Sequence, residues 1–332
     1  ELLKNKEISN LYINSTSQYT GLFGYINDGE VKNTRVAGKI KSTQGSTGGI
    51  VGYYYSSYKV NNCISNVDIE GKSATGGIAG CLYGNNSIIN CTNLGNIIGV
   101  RNVGGIVGSV SAGGSSYTFG SWEITNCFNE GEIYATRNVG GIVGYIGRTT
   151  VTSTCNYGNI HIIPDSNETI EKIGGIIGTT YYVLDFNDCY NFGNITLQDA
   201  DLVSSSISKI GGIVGDGNSR ITASYCGNNG NIVVPNATHI GGIVGDSLQT
   251  TTSISNSYNN GDIYGKNYIG GISAGYNKLT DVINTGDLVF TEPSYIGGLN
   301  VVQDISGAPG IRNNSFNIGT LYYNGSNYSY TS

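Results

Sequence analysis

The sequence predicts an all-β protein folded as one parallel β-helix of about ten coils, and three features lead to this prediction. The tetrapeptide Gly-Ile-Val-Gly or a close variant recurs along the whole chain. A second marker, Asn-x-Gly-x followed by Ile or a similar residue, follows most copies of the first. The chain also contains 52 Gly. Since each Gly inside a helix costs about 1 kcal/mol relative to Ala, a mainly helical fold is excluded.

Each copy of the first marker begins one repeat. A unit of about 28 residues is too small to bury a core alone, whereas stacked units share one continuous core. Short runs of Ile and Val bounded by Gly, Asn and Asp are typical of strands between turns. Parallel strands joined by crossovers favour right-handed winding, so we expect a right-handed solenoid with one coil per repeat. The markers begin at Gly21, Gly49, Gly77, Gly105, Gly141, Gly175, Gly212, Gly242, Gly271 and Gly298.

Two residue types recur at fixed positions of the repeat and predict two ladders along the rod. A branched aliphatic residue after the first Gly of the marker predicts a buried column. Asn in the second marker predicts stacked side-chain amides that hydrogen-bond to one another; the alternative is that Asn tolerates left-handed turn geometry. The aliphatic ladder contains Ile50, Ile78, Ile106, Ile142, Ile176, Ile213, Ile243 and Ile272. The Asn ladder contains Asn93, Asn129, Asn156, Asn191, Asn228, Asn259, Asn284 and Asn317.

The repeats divide the chain into a long solenoid and two short flanks. We expect the solenoid to span residues 20–321, with 1–19 as an N-terminal flank or cap and 322–332 as a C-terminal flank. Three repeats carry insertions, which in solenoids project as loops, often on the binding side. The insertions cover residues 109–121, 161–172 and 196–209.

The composition excludes several classes of function. The net charge is −6 and the 17 Lys and Arg are scattered, whereas nucleic-acid binding needs clustered cations. No apolar run reaches the length of a membrane helix. The seven Cys contain no C-x-x-C pair, which disfavours zinc sites and thioredoxin-like redox motifs, and we expect no cofactor. Because Met is absent, we also expect the chain to be a piece of a longer protein.

Most of the cysteines occupy one column of the repeat. Ser or Thr replaces Cys in other copies, which indicates a constraint on space, and a buried free Cys behaves as a small hydrophobic residue. We expect reduced, buried thiols; disulfide bonds between coils and a metal site are the open alternatives. Cys155 lies one place out of register. The column contains Cys63, Cys91, Cys127, Cys189 and Cys226.

Two pairs of acids recur in neighbouring repeats. Asp216 and Asp246 follow the first marker, and Asp262 and Asp287 follow the second. Stacked carboxylates could hold Ca²⁺ or form the acid pair of a glycosidase. The same positions carry other polar residues in other copies, and no Lys or Arg falls in register with the acids. We therefore expect ordinary outward-facing polar positions.

Aromatic residues are the candidates for ligand contact. Exposed Tyr can anchor a partner, although Tyr is also simply a good strand residue. For Trp122, the alternative is that the ring packs under the neighbouring insertion and tethers it. The candidates are Tyr53, Tyr54, Tyr55 and Tyr58 in one cluster, Tyr117 and Phe119 in the first insertion, and Trp122 directly after that insertion.

The two linked markers resemble the GLUG repeat of bacterial secreted and surface proteins. The resemblance is carried by copies such as Gly174–Gly178 with Asp188–Ile195, and it covers about residues 20–321. The family occurs in large adhesin-like proteins and beside the catalytic part of zinc metallopeptidases that cleave immunoglobulin A. Those peptidases need a His-Glu-x-x-His helix, a motif that this sequence does not contain.

The resemblance and the composition together give the functional expectation. We expect a non-catalytic extracellular rod, at the cell surface or secreted, that acts as a structural spacer or adhesin. Its partners would be other domains of a larger protein and a host glycoprotein or glycan. The alternative is an accessory domain that positions the substrate of a secreted metallopeptidase. A polysaccharide-acting β-helix enzyme is the less favoured reading.

Overall fold

The computed structural model confirms the parallel β-helix of about ten coils. The residues it describes contain strands and no helix, and no helix that could cross a membrane was found among them. The described residues are 7–84, 86–111, 122–147, 149–165, 168–182, 184–198, 206–218, 220–247, 252–275, 277–301 and 312–327.

Three sheets run along the rod, and we number their strands in chain order. Sheet A contains β1 (Ile8–Ser15), β4 (Val31–Lys32), β5 (Arg35–Ser42), β8 (Lys59–Asn61), β9 (Ile64–Glu70), β12 (Ser87–Ile89), β13 (Thr92–Asn93), β14 (Ile97–Ile98), β17 (Trp122–Thr125), β18 (Phe128–Asn129), β19 (Ile133–Ala135), β22 (Thr149–Asn156), β23 (Ile160–Ile162), β26 (Leu184–Asn191), β27 (Ile195–Leu197), β30 (Ile221–Ser224), β31 (Gly227–Asn228), β32 (Ile232–Val233), β35 (Ser253–Asn259), β36 (Ile263–Gly265), β38 (Lys278–Asn284), β39 (Leu288–Phe290), β41 (Arg312–Asn313), β42 (Phe316–Asn317), β43 (Leu321–Tyr323) and β44 (Ser326–Asn327).

The other two sheets are simpler, because each coil contributes one short strand to them. Sheet B contains β2 (Tyr19–Thr20), β6 (Ser46–Gly48), β10 (Ser73–Gly76), β15 (Arg101–Gly104), β20 (Arg137–Gly140), β24 (Ile170–Gly174), β28 (Ile207–Gly211), β33 (Ala237–Gly241), β37 (Asn267–Gly270) and β40 (Ile296–Gly297). Sheet C contains β3 (Phe23–Asn27), β7 (Val51–Tyr55), β11 (Ala79–Tyr83), β16 (Val107–Ser111), β21 (Val143–Ile146), β25 (Ile177–Thr180), β29 (Val214–Gly217) and β34 (Val244–Ser247).

Strands of successive coils pair in parallel and in register. Ile133, for example, lies between Ile97 of the preceding coil and Ile160 of the next. The residues expected as flanks contribute strands as well: β1 pairs in parallel with β5, and β44 pairs antiparallel with β43. The predicted insertions are shorter than the sequence indicated, because both ends of residues 161–172 lie in β23 and β24.

Two hydrophobic clusters fill the interior. One lies mainly between sheets A and C and contains the aliphatic ladder, whose members from Ile50 to Ile272 are 0% exposed. The other lies between sheets A and B and contains residues such as Ile133 and Ile240. The continuous burial of branched residues along the rod supplies the hydrophobic stabilisation that no single coil could provide.

The Asn ladder is buried and continuous. From Asn93 to Asn317, each Nδ2 donates to Oδ1 of the next Asn at 2.7 or 2.8 Å. The same Nδ2 also donates to the carbonyl oxygen two residues on, as Asn129 does to Gly131 at 2.8 Å. Both amide hydrogens are therefore satisfied without water. Left-handed geometry belongs to a different Asn column, represented by Asn90 and Asn126 with φ of 54° and 52°.

The Asn ladder packs against the Gly-Gly pair of the first marker. A Cβ placed on Gly105 would lie 2.4 Å from Cγ of Asn129, and one placed on Gly141 would lie 2.3 Å from Cγ of Asn156. Contacts this close exclude every side chain larger than hydrogen. The two sequence markers recur together because they touch across each coil.

The ladder ends at Ser65, and this end can be extended. Oδ1 of Asn93 and Oγ of Ser65 are both buried without a hydrogen-bond partner among the described residues. In Ser65→Asn, the new amide would donate to Asn93 and continue the ladder by one coil. We expect the free energy of unfolding to rise by about 1 kcal/mol, the usual contribution of one buried hydrogen bond, measured by chemical denaturation.

Ser65→Asp is the matched control. Its carboxyl has the shape of Asn but no N–H to donate, so it should be less stable than the wild type at neutral pH. Equal stability of the Asn and Asp variants would contradict the ladder as the cause.

Candidate functional site

The acid pair Asp262 and Asp287 belongs to a third ladder, on the outer face of sheet A. Oδ1 of Asp262 accepts the backbone N–H of Asp287 at 2.9 Å, and Oδ1 of Asp287 accepts that of Thr320 at 2.7 Å. Asn194 and Asn231 make the same contact in earlier coils. From Asn159 to Thr320 a side-chain oxygen at this position thus links each coil to the next, which explains the preference for Asn or Asp.

The other pair, Asp216 and Asp246, contradicts the prediction of outward-facing positions without cationic neighbours. Their side chains are only 2% and 10% exposed. Lys209 reaches both, with Nζ 3.4 Å from Oδ2 of Asp216 and 3.5 Å from Oδ2 of Asp246, and Lys172 lies 3.7 Å from Asp216. These lysines come from sheet B, whereas the acids come from sheet C. A comparison of equivalent positions within one column of the repeat therefore could not identify these lysines as neighbours of the acids.

The backbone of sheet B explains how the lysines cover the acids. Lys172 and Lys209 have φ of 67° and 63°, in the left-handed region, where a residue other than Gly is uncommon. His239 occupies the same column with φ of 57°. In this column the side chains of sheet B lie over the acids of sheet C.

Burial controls the protonation of this cluster. It raises the pKa of Asp216, against the opposing effect of Lys209 and Lys172. Burial also opposes the charge of Lys209, but the carboxylates of Asp216 and Asp246 raise its pKa overall. The pKa of His239 is lowered by burial. The cluster is a compensated set of charges that fastens sheet B to sheet C, and no group of three or more potential metal ligands occurs among the described residues.

The predicted cysteine column is free and buried. Cys127 is typical: its thiol lies 3.3 Å from the carbonyl oxygen of Thr125 and it is 0% exposed. Thr154 fills the column in the coil of Cys155, because it pairs in register with Cys189. Cys155 pairs instead with Phe128 and Tyr190 and is half-buried.

The predicted tyrosine cluster is divided between the two sides of sheet C. Tyr54 is 0% exposed and donates its hydroxyl to the carbonyl oxygen of Gly29 at 2.6 Å, so it is part of the core and its assignment as a ligand contact was wrong. Tyr55 is 44% exposed and Tyr58 is 52% exposed. Tyr53 lies at the surface, partly covered by its neighbours.

Five outward tyrosines of the first three coils lie close together on one surface, which we call the tyrosine patch (Tyr19, Tyr25, Tyr53, Tyr55 and Tyr83). Ring centroids of Tyr53 lie 4.6 Å from Tyr19, 5.6 Å from Tyr25 and 6.3 Å from Tyr83. The rings of Tyr55 and Tyr83 are 5.3 Å apart. Burial by these neighbours raises the pKa of Tyr53 to about 12, so the hydroxyl stays protonated at neutral pH.

Sequence proximity identified only part of this patch. Tyr25 and Tyr53 are register partners in β3 and β7, and Tyr55 and Tyr83 are register partners in β7 and β11. The position directly after Gly-Ile-Val-Gly carries Tyr25 and Tyr53, and this equivalence was available from the repeat alignment. Grouping the tyrosines by proximity in sequence missed this equivalence.

Of the three aromatic candidates in and directly after the first insertion, the structure describes Trp122 alone. Trp122 begins β17, is 5% exposed and packs in the core, so its assignment as a ligand contact was wrong. Tyr117 and Phe119 lie outside the described residues.

Native thiol reactivity tests the cysteine column. We expect alkylation of the native chain to be confined to Cys155 and to be slow, because burial raises the pKa of that thiol as well. Unfolding should release all the other thiols, as measured by mass spectrometry with and without denaturant. Cys155→Ser should abolish native labelling; rapid native labelling of Cys127 would contradict the assignment.

The buried acid gives a pH-dependent prediction. Because the folded pKa of Asp216 is raised, its ionised form costs stability as pH rises from the unfolded pKa through the folded one. Asp216→Asn lacks this cost, so we expect the variant to become more stable relative to the wild type as the pH rises from 4 to 7. Thermal or chemical denaturation at both pH values measures this difference.

Lys209 supplies the control for this prediction. Its ammonium opposes the effect of burial on Asp216, so Lys209→Gln should enlarge the pH dependence of stability. A relative stability of Asp216→Asn that increases toward pH 4 would show that Asp216 titrates in the opposite direction.

Comparisons with protein-family models, curated proteins and solved structures found no match for this chain.

Proposed function

We propose that this chain is a non-catalytic, extracellular rod that spaces or presents other domains of a larger bacterial surface or secreted protein, and that it adheres to glycans through its tyrosine patch. The observation that carries the proposal is the patch itself: five outward tyrosines from adjacent coils on a scaffold held in register by parallel strand pairing.

Stiffness supports the spacer role. Every coil is joined to its neighbours by parallel strand pairing. From Asn93 onward the buried Asn ladder adds a second link, and along sheet A side-chain oxygens of the outer ladder add a third in most of the later coils. Successive coils share one core, so bending the rod would open hydrophobic contacts and break buried amide bonds together. A scaffold with these properties can hold attached domains at a set separation.

The roles of the acids support the non-catalytic part of the proposal. Asp262 and Asp287 accept backbone N–H groups, and Asp216 and Asp246 are covered by Lys209. An acid pair of a glycosidase needs carboxyl groups open to the sugar on both sides of the bond to be cleaved. Neither pair offers that arrangement.

The chemistry of the patch favours an uncharged ligand. Besides burial, the groups that raise the pKa of the Tyr53 hydroxyl are Cys81 and the neighbouring tyrosines, with no cation or carboxylate among them. Phenol hydroxyls donate and accept hydrogen bonds, and the ring bodies offer apolar contact at low entropy cost. Sugar hydroxyls and C–H faces complement both features, so a neutral glycan of a host glycoprotein is the proposed partner.

A triple variant tests the adhesive role. Tyr25→Ser, Tyr53→Ser and Tyr55→Ser together remove the centre of the patch, and we expect loss of binding to immobilised neutral glycans and to host-cell glycoproteins. Aromatic anchors contribute about 2 kcal/mol or more each to binding, so retention on a glycan array should fall below detection. Binding is measured on the array and by surface plasmon resonance.

The matched control replaces three other exposed tyrosines, Tyr157, Tyr181 and Tyr225, which are 49%, 55% and 57% exposed. This variant should bind as the wild type does, and both variants should keep their melting temperature within a few degrees of each other. Equal glycan binding by both triple variants, or no glycan binding by the wild type, would refute the adhesive role of the patch.

A further inference from the structure

A second surface, on sheet A, forms a groove that the tyrosine patch does not include. It has a volume of about 350 Å³ and runs along the rod axis from Tyr12 to Tyr134. Its floor is formed by β5 and β9 at Ile40 and Ile69, whose side chains point into the core. Its two walls are the outward side chains on either side of that floor: Lys39 and Asp68 on one side, Lys41 and Glu70 on the other.

Charges in this groove are sorted by coil. Lys39 and Lys41 lie on β5, and their register partners Asp68 and Glu70 lie on β9. Lys41 is paired with Glu70 at 2.6 Å. Lys39 makes no ion pair with any carboxylate of the described residues. Two cations therefore lie side by side on one strand, and two anions lie side by side about 4.8 Å further along the rod.

The lysines depart from the pattern of the outer ladder. Asp68 accepts the backbone N–H of Asn96 at 3.1 Å, and Asn96 accepts that of Glu132 at 2.9 Å. Lys39 is the register partner of Asp68 in the preceding coil, but an ammonium has no acceptor to offer. The ladder bond is therefore absent at Lys39, as it is between Glu132 and the backbone of Asn159, and at Lys39 the departure places a second ammonium in the groove.

The ends of the groove provide apolar and aromatic contact. Tyr12 is 72% exposed beside the lysines, and Ile98 is 45% exposed beyond the acids. Tyr134 is fixed by donating its hydroxyl to Glu132 at 2.6 Å.

We propose that this groove binds a compact zwitterion, with its anionic group between Lys39 and Lys41 and a primary ammonium against Asp68 and Glu70. The four side chains sum to zero charge, so an ion of one sign gains attraction from one strand and repulsion from the next. A ligand whose two charges are about one strand spacing apart is attracted by both. A phosphoethanolamine group has this chemistry.

Titration with O-phosphoethanolamine at low salt tests the site by isothermal calorimetry. We expect saturable binding of the wild type, at least about tenfold weaker binding of inorganic phosphate or ethanolamine alone, and weaker binding of phosphocholine, whose ammonium has no N–H to donate. Equally tight binding of phosphate alone, or no binding of O-phosphoethanolamine, would overturn the proposal.

Asp68→Asn and Lys39→Gln should each weaken binding about tenfold or more, since each removes one charged partner. Asp68→Asn keeps the oxygen that accepts the Asn96 N–H, so its fold should be intact. Asp287→Asn is its matched control, because it occupies the same ladder position in a distant coil, and Lys278→Gln controls for the loss of a lysine. Equal loss in the control variants would also overturn the site.

Two sources could present the ligand, and vesicles separate them. Binding to vesicles that contain phosphatidylethanolamine, but not to phosphatidylcholine vesicles, would assign the site to a lipid headgroup. Binding of free O-phosphoethanolamine without vesicle binding would assign it to a soluble or glycan-linked group. The tyrosine-patch variant should leave all of these results unchanged, because its three substituted residues lie on sheet C.

Discussion

The contact between the buried Asn ladder and the Gly-Gly pair is the constraint on which the rest of the structure depends. In each coil from Asn93 to Asn317 the amide lies so close to the opposite backbone that a Cβ there would collide with it, as at Gly105 and Asn129. This contact separates the interior into two hydrophobic clusters. It also fixes the register, because an amide displaced by one residue would lose its partners in both neighbouring coils and face the core unpaired.

Fixed register determines how the surface is organised. Equivalent outward positions stack one above another, so their side chains interact along the rod rather than around it. Stacked pairs such as Tyr157 with Phe192, whose ring centroids lie 5.1 Å apart, and Tyr268 with Tyr295, at 4.4 Å, follow directly from this arrangement. The tyrosine patch is a wider version of the same effect, since it joins two outward columns of sheet C.

The parts of the structure that could be predicted from sequence are those that repeat with one period. The β-helix, the buried Ile142 and Asn156, and the free buried Cys127 all lie in single columns. The neighbours of Asp216 could not be predicted this way, because Lys172 and Lys209 belong to another sheet and the left-handed residues that bring them over the acids have no Gly to reveal them. Alternation along β7 places Tyr54 inside, but the prediction grouped the tyrosines by proximity and missed it.

Ladders of this kind give a physical criterion for where recognition can evolve. A position that satisfies the next coil through its side chain, as Asp262 does for Asp287, loses a hydrogen bond when any residue without an acceptor replaces it. The loss is small at an exposed site, yet it recurs for every such replacement, so selection for stability alone favours Asn or Asp there. Lys39 departs from that pattern in the coil where the neighbouring wall also carries a lysine. The two lysines coincide in one groove with acids one strand away, and this coincidence is the physical basis of the proposed zwitterion site.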